Sequence, residues 1–143
     1  GDSSLLIFGG STKTQQLSSD AFVLDTNSWE WTKLNTGDGD GPSSRASPCA
    51  ARCGDRQAVV FGGASLSSGG YEGGAGLQAQ DDTWLLTVGD NHKACWDRIE
   101  VLEESPSARL AATLSPTSEG LLLQGGWDPK GETFEDTWVL KKE

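Results

Sequence analysis

Methionine is absent from this chain of 143 residues, and histidine and tyrosine occur once each, as His92 and Tyr71. A Ser-His-Asp triad would have to use His92. That residue falls in the polar turn Gly89-Asp90-Asn91-His92-Lys93, away from any strained nucleophile turn, and reads as an exposed turn histidine. The three cysteines, Cys49, Cys53 and Cys95, contain no Cys-x-x-Cys pair, so a zinc site lacks a ligand set. Cys49 and Cys53 are spaced to share one side of a strand, where disulfide geometry is rarely met. Small buried thiols in a reduced, intracellular protein are the expectation. Asp38-Gly39-Asp40-Gly41 begins like a calcium loop, but Pro42 and Arg45 follow instead of the required glutamate and helix, so it reads as a turn. No metal, no cofactor and no catalytic set is expected.

Basic residues are also scarce: 11 Lys and Arg stand against 21 Asp and Glu, a formal net charge of −10. Nucleic acids and anionic lipid are recognised by neutralising phosphates, so such a surface repels both. A basic protein partner is the expected kind. No apolar stretch approaches the roughly 20 residues of a membrane-spanning helix, which argues against membrane insertion.

Glycine is abundant, with 19 residues, and six tryptophans accompany it. Three times an apolar stretch runs into a glycine pair, and a later Asp leads an aromatic and two aliphatic residues. The copies are Leu5–Gly10 with Asp20–Leu24, Ala58–Gly63 with Asp82–Leu86, and Leu121–Gly126 with Asp136–Leu140. Such repetition means stacked copies of one supersecondary unit. A tight turn precedes each glycine pair, as at Gly54-Asp55, where glycine is expected to supply a positive φ. Ahead of the turn stands a strand opened by Pro and Arg, Pro42–Arg45 and Pro106–Arg109. The last strand is marked by tryptophan, at Trp31–Leu34 and Trp96–Ile99. Four short antiparallel strands per unit make one propeller blade.

These residues resemble the kelch family. The glycine pair, the Asp-x-Trp-x-Leu strand, the later tryptophan and the Pro-x-x-Arg lead-in stand at kelch positions, and Asp25–Leu34 is the most specific stretch. Phe22 for Trp, Gln124 before the third glycine pair and Pro48 in an inner strand depart from the pattern. The resemblance implies an all-β, kelch-type β-propeller, here incomplete, with about two and a half blades. Its boundaries are expected at 1–41 for an incomplete blade, 42–105 for a complete one and 106–143 for another incomplete one. Counting strands predicts ten in three consecutive sheets, with essentially no helix. The remaining blades are expected from the same longer chain. Trp31, Trp84, Trp96 and Trp138 should carry the core between blades, each burying roughly 150–250 Å².

Kelch propellers mostly bind proteins, so the resemblance implies a non-catalytic interaction or scaffold module. Two alternatives stay open: an enzyme with a channel site completed by missing blades, and a passive structural subunit of a large assembly. Topology puts the long connections Asn35–Ser44, Ala64–Gln80 and Gly126–Glu135 on one face, where binding residues commonly lie. Tyr71, Glu72, Asp81, Asp128 and Glu132 are the candidates there. Arg45 and Arg109 would hold an anionic group in the enzyme alternative, against a repeated structural role from blade to blade.

Overall fold

Residues 3–67, 76–102 and 104–141 are described in a computed structural model of the chain. Short apolar runs build β1 (Ser4–Phe8) and β2 (Ala21–Asp25), and with β3 (Glu30–Lys33) they pair in that order as a first sheet. β4 (Cys49–Gly54) and β5 (Gln57–Phe61) open a second sheet, completed by β8 (Thr83–Val88) and β9 (Ala94–Ile99) in the order β4-β5-β8-β9. Between them β6 (Ala64–Leu66) and β7 (Leu77–Ala79) form a ribbon of their own. The third sheet is β10 (Thr113–Thr117), β11 (Gly120–Gln124) and β12 (Thr137–Leu140). Every strand pair is antiparallel. The ten expected strands are present, joined by the ribbon and by a 3-10 turn at Asp90–His92.

Cross-strand register decides which residues face a neighbouring sheet. Phe8 lies opposite Ala21, and Leu6 opposite Val23. With Leu34 they pack on Val60, Leu86, Val88, Ala94 and Trp96 of the second sheet. The rings of Phe8 and Trp96 meet edge to face with centroids 4.9 Å apart. The other side of the second sheet, with Cys49, Ala51, Val59 and Phe61, packs on Leu114, Leu121, Leu123 and Leu140 of the third. A sheet covered on both sides needs near-continuous apolar runs, and this explains Val59-Val60-Phe61.

Four sequence expectations need correction. Trp84 is buried, but Trp31 is 52% exposed: it shares a face with Leu5 and Leu24, turned away from the second sheet. Trp96 and Trp138 are half-buried. Gly54 does not carry the positive φ of its turn; Arg56 does, at 56°. Cys49 and Cys53 do not share a side, because the register shifts between Arg52 and Gly54 and leaves Cys53 exposed. Pro48 precedes β4, whereas Pro116 does lie in a strand, the edge strand β10, where a missing N–H is tolerated.

Candidate functional site

The Pro-x-x-Arg segments do not begin strands. Among the described residues their arginines are the largest fully buried side chains, Arg45 at 1% and Arg109 at 0% exposure. Burying a guanidinium is costly unless it is paired and hydrogen-bonded. Arg45 donates from Nη1 to the Gly62 carbonyl at 2.9 Å and pairs through both terminal nitrogens with Asp82, Nη2 lying 2.9 Å from Oδ2. Its Nε donates to the Ser43 carbonyl at 3.0 Å. Asp82 is further held by the Trp84 indole N–H at 2.7 Å. The third sheet repeats the arrangement. Arg109 donates to Ser107 and Gly125 carbonyls, each at 3.0 Å, forks onto Asp136, and Trp138 donates to Asp136 at 2.7 Å. The Phe134 ring lies 4.1 Å from the Arg109 guanidinium carbon.

These bonds set the charge states. The Arg109 hydrogen bond, then that of Trp138, holds the Asp136 carboxyl down at about 2. Burial pushes Asp82 up, yet the hydrogen bonds from Arg45 and Trp84 outweigh it and leave the group below its ordinary range. Burial pushes the Cys49 thiol up to about 11.

The backbone of each arginine works on a different sheet from its side chain. Arg45 N–H donates to Ser18 at 3.0 Å, and its carbonyl accepts from Gly10 at 2.8 Å, both in the β1–β2 connection. Arg109 does the same toward Gln80 and Gly63 in the second sheet, at 3.1 and 2.8 Å. This is why the inner strands start only at Cys49 and Thr113: the lead-in is bonded to its predecessor. It also explains the first glycine of the first two pairs. A Cβ on Gly9 would stand 2.6 Å from the Arg45 carbonyl oxygen, and one on Gly62 would stand 2.5 Å from that of Arg109.

Stitched by these bonds, the β5–β8 and β11–β12 connections lie on either side of Arg109-Leu110. Gln80 accepts from Arg109, while Leu110 and Trp127 exchange hydrogen bonds at 2.9 and 3.1 Å. Asp81 and Glu132 are exposed beside this seam, and Asp128 is half-buried. The Asp128 carboxylate accepts from the backbone of Lys130 at 3.0 Å and of Glu132 at 2.9 Å, so it shapes its own loop. Tyr71 and Glu72 lie outside the described residues. The connection Asn35–Ser44 follows another path: Asn35 donates to His92 at 2.9 Å, and Gly41 lies against Trp96, so it runs first along the second sheet's β9 side. Arg45 and Arg109 present no surface to a partner. Sequence reasoning missed Trp127, 42% exposed on the seam; its signal was an aromatic directly after the third glycine pair.

Consecutive antiparallel sheets, each gripping the next through an arginine and a glycine pair, define a β-propeller of repeated blades. The sequence matches the KLHDC2/KLHL20/DRC7 Kelch-repeats domain over residues 1–143, and the chain belongs to that kelch-repeat family. It is similar to acyl-CoA-binding domain-containing protein 4 of Arabidopsis thaliana, with 23% identity over 95% of this chain and 20% of the relative. An F-box/kelch-repeat protein of Arabidopsis thaliana is 36% identical over 52% of this chain and 15% of its own length. The solved structure of YjhT superposes with a TM-score of 0.64 at 23% identity, covering 94% of this chain and 38% of that one. The chain thus spans a fifth or less of these curated relatives.

Proposed function

We propose that these residues are part of a longer kelch propeller that serves as a non-catalytic protein-interaction and scaffold module. The observation that carries the reading is the seam beside Arg109-Leu110. An exposed aromatic, Trp127, stands there with Asp81, Asp128 and Glu132, while the strongest polar groups nearby are tied up internally. An exposed aromatic in an acidic rim suits a basic protein segment: the ring anchors and the acids steer. Tyr71 and Glu72, which stand between β6 and β7 in the sequence, belong to the same proposal. Blade boundaries at 1–41, 42–105 and 106–143, with the remaining blades in the same polypeptide, fit the two three-stranded sheets and the uncovered face of Leu5, Ile7 and Trp31.

An enzyme holding an anionic substrate through Arg45 and Arg109 is disfavoured, since both guanidinium groups are buried and already forked onto an aspartate, with five hydrogen bonds from Arg45 and four from Arg109. An intracellular setting suits the exposed thiol of Cys95. Among the described residues no helix is long and apolar enough to cross a membrane.

The test is partner capture with the intact polypeptide, followed by association kinetics. Trp127→Ala should speed dissociation, with a loss of about 1–2 kcal/mol or more. Asp81→Lys with Glu132→Lys should slow association and weaken its salt dependence. Unchanged affinity after Trp127→Ala and after deletion of Ser65–Gly76 would move the site elsewhere and favour a passive structural subunit.

A further inference from the structure

Two sheets hold an arginine on their aspartate; the first sheet has the aspartate without the arginine. Asp20 stands ahead of β2 as Asp82 stands ahead of β8 and Asp136 ahead of β12. Gly9 occupies the place from which Gly62 and Gly125 offer carbonyls to a guanidinium. In those sheets the arginine arrives on the lead-in to an inner edge strand, β4 or β10, that pairs with β5 or β11. The first sheet has β1 itself at that edge.

Phe22 replaces the tryptophan whose indole binds the aspartate, and a phenyl ring has no N–H to donate. Its cross-strand partner Lys33 supplies the missing donor. The ammonium lies 2.8 Å from the Asp20 carboxylate and 6.0 Å from the Phe22 ring centre. One substitution has been compensated, and the carboxylate has been kept at its post.

We propose that Asp20 and the Gly9 carbonyl form a guanidinium socket. Its occupant is an arginine on an extended segment of the same polypeptide, outside residues 1–143, that pairs along β1. The inference rests on the longer-propeller reading above. Arginine is specified over lysine by the filled sockets, where one planar fork reaches a glycine carbonyl and both carboxylate oxygens together. The free edge of β1 supplies main-chain donors and acceptors for the segment, as β5 does for β4.

The experiment compares thermal unfolding of the intact polypeptide carrying Asp20→Asn with that carrying Asp136→Asn, whose socket is filled, and follows amide exchange along β1. Asp20→Asn is expected to lower the midpoint about as much as Asp136→Asn, with the outward amides of β1 exchanging slowly and a wild-type midpoint independent of protein concentration. Slow exchange with a neutral Asp20→Asn overturns the socket alone. Fast exchange along β1 overturns the longer-propeller reading with it. A concentration-dependent midpoint overturns the assignment to the same polypeptide.

Discussion

Asp136 and Cys49 titrate in opposite directions because one carboxylate is gripped by cations and donors while one thiol is buried among apolar groups. The folded carboxyl of Asp136 lies at about 2 against an ordinary 3.8, so its contribution to stability is complete above 3.8 and is lost as pH falls toward 2. Urea midpoints measured across that window should fall steeply in the wild type and more gently in Asp136→Asn. Trp84 is a buried residue of the second sheet, 8% exposed, and it also donates to Asp82. Trp84→Ala should cost about 3–5 kcal/mol in equilibrium unfolding, and near-wild-type melting would contradict the register described. The repeated Asp-Thr-Trp was readable in the sequence because its spacing recurs. Its bond to an arginine more than 25 residues earlier was not, since no local pattern shows which long-range acceptor a buried guanidinium finds.

At the scale of the strand and its turns, the glycine pairs give the sharpest test. Gly62 and Gly37 both have a positive φ, 65° and 69°, but a Cβ on Gly37 meets nothing within 4 Å. Gly37→Ala should therefore cost about 1 kcal/mol for its backbone conformation, and Gly62→Ala distinctly more, because the Arg109 carbonyl must also move. Denaturant midpoints of the pair measure the contact between sheets. The internal repeat, its apolar runs and its turn residues made nearly all the blade strands legible. The ribbon β6–β7 escaped because three-residue strands bounded by Ser and Gly carry no periodicity to detect. Trp31 was misplaced for a different reason: its strand is as expected, but exposure depends on whether another sheet covers that face.

At the scale of the molecule, the core clusters of the described residues join sequential sheets, so damage should stay local. Cys49 is a built-in reporter, lying between the second and third sheets beside Leu123 and Phe61. Cys53 and Cys95, both exposed, should react with a thiol reagent at once, whereas Cys49 should react only as fast as the sheets open. Leu123→Ala should accelerate Cys49 labelling strongly, and Phe8→Ala, at the other junction, should do so far less. Equal acceleration by both would show that the sheets open as one unit. The candidate partner surface was only partly legible: the acids stood out by loop position, while Trp127 needed the fold to place it on the seam.

Arg45 faces two ways, its main chain bound to the sheet before and its side chain to the sheet it introduces. Half of every connector is thus inherited from the neighbouring copy. A gene that gains or loses one whole unit, arginine, glycine pair and aspartate together, leaves each remaining junction chemically unchanged. Loss of a lone strand does not, because it strands a carboxylate without its cation. The arrangement favours change in copy number by complete repeats, with the sheet boundary as the natural point of recombination.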